Sequence, residues 1–461
     1  MSWQVVLTAM LPEHLLLAGI VVLLGLEITS RKSRAMLVVA LVAVAAATAA
    51  ALWLAFIGYA ATPFPGQYSV APVASLGKAI VLALAVLVLL IARDESGQRA
   101  FPVLLISSLY GVCLLLSSDS FLTLFLGLEL MSLPVYALVL LAFRRPESAE
   151  AALKYLVLGG TATATLLMGV SLLYGGSGSL ALSTFANALG STDTMAKVAV
   201  VLVLVAFFLK AAIVPFHAWA PDAYEGAAVP VTAYMATIIK AGVLLAAVRL
   251  FGTVPVTRPM ADLLAILPLI SIVWGNLAAM RQQSFRRMIA YSSIAHAGYL
   301  FYALLGEGPG RFQAVAFYVL AYGLMNVLAF ASLPPSENDA ARDRLDNLRG
   351  LFQRAPFAAL MIGIAMLSLA GIPPFPGFVA KFLVFKNVIA AGFTFYAVLG
   401  LVGSYLGIYF YLRVIQYLFM SAEGPAATRG TPGRLALGAS FICLLIVILM
   451  SVFPGFVIDR L

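Results

Sequence analysis

Five ionisable side chains stand inside long apolar stretches of this 461-residue sequence: Glu129, Lys210, Lys240, His296 and Lys381. A charge at the centre of a bilayer costs roughly 2.5–3.5 kcal/mol on insertion scales, so each such residue needs a partner, water or a task. Burial favours a neutral amine, whereas a nearby carboxylate favours the ammonium. A lysine held between those influences can take up and release a proton as its partner moves. Proton handling is therefore the chemistry that these residue types suggest. For Glu129 and Lys240 the competing reading is a structural ion pair. His296 lies among Ser292, Ser293 and Tyr299 and is read either as a proton relay near neutral pH or as a hydrogen-bonded packing residue. Lys78 and Lys386 lie near span ends and are expected to snorkel to water.

Helix breakers sit close to two of the lysines. Pro215 lacks a donor and clashes with the carbonyl four residues earlier, so the span carrying Lys210 is expected to kink or open there. The stretch Gly371-Ile-Pro-Pro-Phe-Pro-Gly377, with Pro373, Pro374 and Pro376, cannot continue as regular helix, and Lys381 follows it directly. Irregular backbone at membrane depth is tolerated only against protein or a wet cavity, so both breaks point into a bundle. Transporters place ion sites at paired broken helices in halves related by an inverted repeat. Lys210 and Lys381 are 171 positions apart, and Glu129 and His296 are 167 apart. That lag fits two five-helix units, the second upside down because the number of spans per unit is odd. His217 and the segment Trp219–Gly226 follow the first break and read as a proton entrance or a capped turn.

The elements that position these residues are membrane spans. With 63% hydrophobic and 10% charged residues, the composition excludes an ordinary soluble domain. Runs of about 17–25 apolar residues predict fourteen spans. Their approximate limits are 13–29, 35–59, 74–92, 101–118, 119–143, 152–174, 196–220, 229–250, 261–280, 288–305, 312–333, 355–390 with an interruption, 394–420 and 435–456. The expected architecture is thus an all-α polytopic membrane protein with discontinuous helices 7 and 12. It divides into N-terminal helices (1–100), two inverted repeats (101–255 and 256–422) and a last helix (423–461). The first span is read as retained rather than as a signal peptide. Eighteen Lys and Arg residues fall in loops on one side and five on the other, which predicts both termini outside the cytoplasm. This asymmetry accounts for most of the net charge of +9 without invoking nucleic acid. Two cysteines within apolar runs, Cys113 and Cys443, and three scattered histidines suit neither a disulfide framework nor a thiolate cluster or haem pair, so no cofactor or metal is expected in this chain.

Four segments carry a resemblance. Phe125-Leu-Gly-Leu-Glu-Leu-Met-Ser-Leu-Pro134, Ala152-Leu-Lys-Tyr-Leu-Val-Leu-Gly159, Leu209-Lys-Ala-Ala-Ile-Val-Pro-Phe-His217 and Ala290-Tyr-Ser-Ser-Ile-Ala-His-Ala-Gly-Tyr299 resemble the antiporter-like subunits of respiratory complex I. Pro221-Asp-Ala-Tyr-Glu-Gly226 with Pro230-Val-Thr-Ala-Tyr234 looks most like the subunit N branch of that family. The resemblance covers nearly the whole chain. It implies a fourteen-helix subunit in the membrane arm of a bacterial NADH:quinone oxidoreductase, in the inner membrane among lipids and other antiporter-like and small membrane subunits. It implies a proton path in which Glu129 pairs with Lys210, Lys240 bridges the middle, Lys381 serves the far exit and His296 joins the halves. NADH, FMN, iron–sulfur clusters and quinone would belong to partner subunits. Alternatives are a subunit of a sodium/proton antiporter, of a membrane-bound hydrogenase or of a ferredoxin-linked dehydrogenase. Two departures from the family pattern, Gln98-Arg99-Ala100-Phe101 before the fourth span and Arg286 in place of a lysine, touch subunit contacts rather than the central path.

Overall fold

Backbone donors and acceptors cannot be left open in hydrocarbon, so apolar runs of this length fold as helices. The computed structural model describes residues 3–29, 33–92, 100–142, 146–252, 256, 258–335, 344–421 and 432–461. The N-terminal part comprises α1 (Trp3–Ala9), α2 (Leu11–Thr29) and α3 (Ser33–Phe56), a hairpin of β1 (Ala61–Phe64) and β2 (Tyr68–Val70), and α4 (Pro72–Ala92). There follow α5 (Ala100–Leu116), α6 (Phe121–Leu141), α7 (Pro146–Ser177), α8 (Ser183–Leu189), α9 (Thr194–Ala211), α10 (Trp219–Gly226) and α11 (Val229–Tyr234). A π-helical turn, Met235–Ile239, joins α11 to α12 (Lys240–Phe251). The remainder is α13 (Arg258–Ala279), α14 (Phe285–Ala303), α15 (Gly308–Ala331), a 3-10 turn (Leu345–Leu348), α16 (Leu351–Arg354), α17 (Pro356–Ala370), α18 (Pro376–Ala390), α19 (Thr394–Tyr405), α20 (Ile408–Phe419), α21 (Arg434–Val452) and α22 (Pro454–Ile458).

The protein is an all-helical, multi-pass membrane protein apart from that one antiparallel hairpin. Eleven helical segments among the described residues are long and apolar enough to cross a membrane, and Ala100–Leu116 and Pro356–Ala370 are shorter apolar helices. The segment Val229–Phe251 is buried along its whole length, and Gly310–Ala331 nearly so, whereas Leu11–Thr29 and Ala35–Phe56 are less than half buried. Lys240 therefore sits at the centre of the bundle. Exposed Leu, Val, Ile and Phe side chains form its perimeter, as expected where lipid is the solvent.

Polar ties hold the two ends of the bundle. At one end, Arg413 donates to Met280 O at 2.7 Å, Leu345 N–H donates to Gln283 O at 2.9 Å, and Arg287 pairs with Asp222 at 2.7 Å. At the other, Arg249 donates to Ser118 O at 2.7 Å and Arg311 to Gly252 O at 2.8 Å. Two residues counted as loop cations in the sequence are buried instead: Arg286 and Arg311 are each at most 1% exposed. Arg286 donates to Ala227 O, and Arg311 also donates to Gly306 O at 2.7 Å. Arg31, Lys32, Arg93, Arg99, Arg144, Arg145, Arg342 and Arg429, counted among the same cations, lie outside the described residues, as does Gln98 of the departure before the fourth span.

The span expected over 394–420 is present as Thr394–Phe419, with a two-residue turn at Leu406 and Gly407, both in right-handed helical conformation, between α19 and α20. Asn276 explains the approach made there. Its Nδ2 donates to Gly403 O at 3.0 Å, and a Cβ on Gly407 would stand 2.8 Å from its Oδ1.

Helices α5 and α6 meet through glycine. A Cβ on Gly111 would lie 2.3 Å from the backbone nitrogen of Met131, two residues from Glu129. Gly111→Leu is therefore expected to force the two helices apart and to destabilise the protein by about 1–3 kcal/mol, read as a lower thermal midpoint in detergent. Gly25→Leu, whose Cβ meets nothing within 4 Å, should change stability by less than about 0.5 kcal/mol.

Candidate functional site

The first station forms where α9 stops. Ser120 caps α6 by accepting from Thr123 N–H at 3.2 Å, which starts the helix that carries Glu129. Helix α9 ends when Ala212 takes a left-handed φ of 61°, the one positive-φ residue other than glycine among the described residues. The chain thus opens before Pro215 rather than kinking at it. The freed groups find side chains: Val214 N–H donates to Ser271 Oγ at 2.8 Å, and Trp219 Nε1 donates to Leu209 O at 3.0 Å. Lys210, in the last turn of α9, reaches Glu129 at 3.1 Å and Ser132 Oγ at 3.3 Å. Thr163 of α7 also donates to the Glu129 carboxylate. The lysine side chain is 6% exposed and the glutamate 22%, so the carboxylate is the half of the pair nearer the perimeter.

Lys240 has no carboxylate partner among the described residues. It follows the π turn directly, and its Nζ donates to Ser293 O at 2.7 Å and to Ser293 Oγ. Single π turns inside α-helices frequently mark functional positions. Tyr224 OH lies 3.2 Å from the same Ser293 hydroxyl, which links the helix after the first break to α14.

His296, three residues further along α14, is sandwiched by tyrosines. Its Nδ1 lies 2.8 Å from Tyr318 OH and its Nε2 3.1 Å from Tyr411 OH, while Tyr411 OH also contacts Ser292 Oγ. Both ring nitrogens are thus engaged, and Lys240 and Lys381 both lie within electrostatic reach of the ring.

The second break spans Gly371 to Phe375. Gly371 takes φ 83° at the end of α17, and a Cβ on Gly377 would lie 1.8 Å from Ser368 O, so neither position accepts a side chain without a backbone shift. Lys381 folds back onto the exposed carbonyl end of α17, donating to Ala370 O at 2.9 Å, Leu369 O at 3.2 Å and Ser404 Oγ at 3.0 Å. A cation suits this negative end of a helix dipole. Its Nζ is also 5.1 Å from the Tyr299 ring centroid. A cavity of about 510 Å³, lined by Lys381, Lys386, Ser404, Tyr405 and apolar side chains, opens beside it.

Of the five sequence candidates, the structure brings Glu129 and Lys210 into direct contact. Lys240, His296 and Lys381 are instead joined through α14, which presents Ser293, His296 and Tyr299 to them in turn. His217 accepts from Trp274 Nε1 at 3.0 Å through Nε2. Sequence reasoning missed Thr163, Tyr318, Ser404 and Tyr411, because hydroxyls on distant helices carry no signal of their own. One expectation is corrected outright. Lys78 does not snorkel: its side chain is 1% exposed and pairs with Glu13 at 2.6 Å. Lys386 is exposed, as snorkelling requires.

Tyr411→Phe removes the hydroxyl shared by His296 and Ser292. A loss of about 0.6–1.7 kcal/mol is expected, the range for hydrogen bonds between membrane helices, measured as a reduced unfolding midpoint of the purified protein.

With this geometry in hand, the comparisons with known proteins are informative. The family model described as NADH:quinone oxidoreductase/Mrp antiporter, TM, matches residues 118–407, a range that holds all five candidates. A relative from Pelobacter propionicus named NADH-quinone oxidoreductase subunit N is 39% identical over 415 residues, covering 90% of this chain and 89% of its own. A chain of the respiratory complex I of Thermus thermophilus, solved with bound aureothin, superposes with a TM-score of 0.85 at 35% identity over 97% of this chain and 98% of that one. A chain of an archaeal membrane-bound sulfane sulfur reductase shares the fold, with a TM-score of 0.86 at 24% identity over 98% of this chain and 96% of its own. The chain belongs to the NADH:quinone oxidoreductase/Mrp antiporter transmembrane family, among its subunit N members.

Proposed function

We propose that this chain is the subunit N of a bacterial NADH:quinone oxidoreductase membrane arm and that it translocates protons without redox chemistry of its own. The observation that carries the reading is the contact of Glu129 with Lys210 at 3.1 Å, beside an opened helix in an apolar bundle. In this reading, quinone reduction by partner subunits separates the pair. Loss of the carboxylate favours the neutral amine of Lys210, and its proton moves toward Lys240. Ser293, His296 and the tyrosines around it carry the connection along α14 to Lys381, whose cavity serves as the exit. Moving one charge against 100 mV costs about 2.3 kcal/mol, so the partner enzyme must supply the drive.

The broken helices at 212–218 and 371–375 support the layout of two inverted five-helix units, 101–255 and 256–422, within fourteen spans. NADH, FMN, iron–sulfur clusters and quinone are assigned to the partner subunits, neighbouring antiporter-like and small membrane subunits among them. The cation asymmetry of the loops favours an inner-membrane orientation with both termini periplasmic.

Lys210→Ala in the assembled complex is expected to lower both proton uptake and coupled NADH oxidation in inside-out vesicles while native gels show intact assembly. Wild-type pumping by a fully assembled variant would overturn the reading. Sodium-dependent transport in the same vesicles would instead favour the Mrp branch of the family.

A further inference from the structure

A second buried carboxylate–lysine pair lies outside the residues matched by the family model. Glu13 of α2 and Lys78 of α4 are each 1% exposed, with 2.6 Å between their charged atoms. Tyr68, on β2, touches both: its hydroxyl donates to Glu13 Oε1 at 2.7 Å and accepts from Lys78 Nζ at 2.8 Å. The other carboxylate oxygen, Glu13 Oε2, is buried and has no hydrogen-bond partner among the described residues. His14 Nδ1 and Ser75 Oγ, on α2 and α4, are likewise buried without a partner among them.

An ion pair that serves only to hold helices together is stable when its remaining lone pairs are satisfied. Either oxygen of a carboxylate can carry the proton when the group is neutral, and it then becomes a donor. The hydroxyl that touches both charges adds a route. A proton leaving the Lys78 ammonium for the Tyr68 oxygen, as the Tyr68 proton passes to Glu13 Oε1, leaves a neutral amine and a neutral carboxylic acid; the reverse restores the ion pair. The other titratable groups facing the site are His14 on α2, Tyr110 and Cys113 on α5, and Arg249 on α12 with its partner Asp119 at 3.4 Å. Arg249 donates to Ser69 Oγ, next to Tyr68 in the hairpin. It also stands at the far end of the helix that begins with Lys240.

We infer that Glu13, Tyr68 and Lys78 form an additional exchangeable proton site, at the bundle end that carries the hairpin, tied to the Lys240 helix through Ser69 and Arg249. The inference rests on the proton-translocating reading above, and Lys240→Ala separates the two in the test.

In inside-out vesicles bearing the assembled complex, proton uptake per NADH oxidised is measured with a pH-sensitive acridine dye. Glu13→Gln and the apolar double variant Glu13→Leu/Lys78→Met are compared with Lys240→Ala, and native gels report assembly. Both Glu13 variants are expected to assemble and to lose proton uptake per NADH. Wild-type yield in either assembled variant overturns the inference, as does failure of both to assemble, which would assign the pair to structure alone. Normal pumping by Lys240→Ala would count against the central path instead. In the unaltered complex, a hydrophobic carbodiimide, which modifies protonated carboxyls, should label Glu13 increasingly as pH falls. Absence of labelling by mass spectrometry at every pH would also overturn it.

Discussion

An ammonium group inside an apolar bundle must exchange its hydration shell for fixed oxygen atoms, and this constraint organises the protein. Lys381 meets it with two carbonyls at the end of an interrupted helix and one hydroxyl. Lys240 takes a carbonyl and a hydroxyl from a single residue of the next helix but one. Lys210 takes a carboxylate and a hydroxyl, both from α6. A continuous helix consumes its own carbonyls, so broken helices are where backbone oxygen is available at membrane depth. For Lys381 the break supplies that oxygen, whereas Lys240 draws on Ser293 within α14 and Lys210 on side chains alone.

Charge is nevertheless distributed unevenly. Lys240 and Lys381 lie in neutral surroundings of hydroxyls and carbonyls, whereas Lys210 and Lys78 each hold a carboxylate. Neutral dipoles support a cation less strongly than an anion does. In the Glu129–Lys210 pair the carboxylate is the more exposed partner.

Rigidity and opening are also separated in space. Helices α12, α14 and α15 are packed on all sides, with His296 held between two tyrosines. The breaks at 212–218 and 371–375 interrupt helices outside these three, and close-packed helix interiors resist small displacements.

The sequence alone determined that this chain lives in lipid, roughly where each span lies, and which interior residues cannot be there without a reason. These are one-dimensional facts: apolar length, proline without a donor, and the cost of an ionisable group in hydrocarbon. Tertiary packing decided who answers each buried charge. Ser293 lies 53 residues from Lys240, and Tyr411 lies 115 from His296. Lys78 shows the limit most clearly. Its position near a helix end admits water or an ion pair equally well, and only the approach of α2, with the hairpin folded over it, places Glu13 and Tyr68 against its ammonium. A side chain's cost can be read locally because its solvent is set by its neighbours in the chain, whereas its partner is chosen by how distant helices meet.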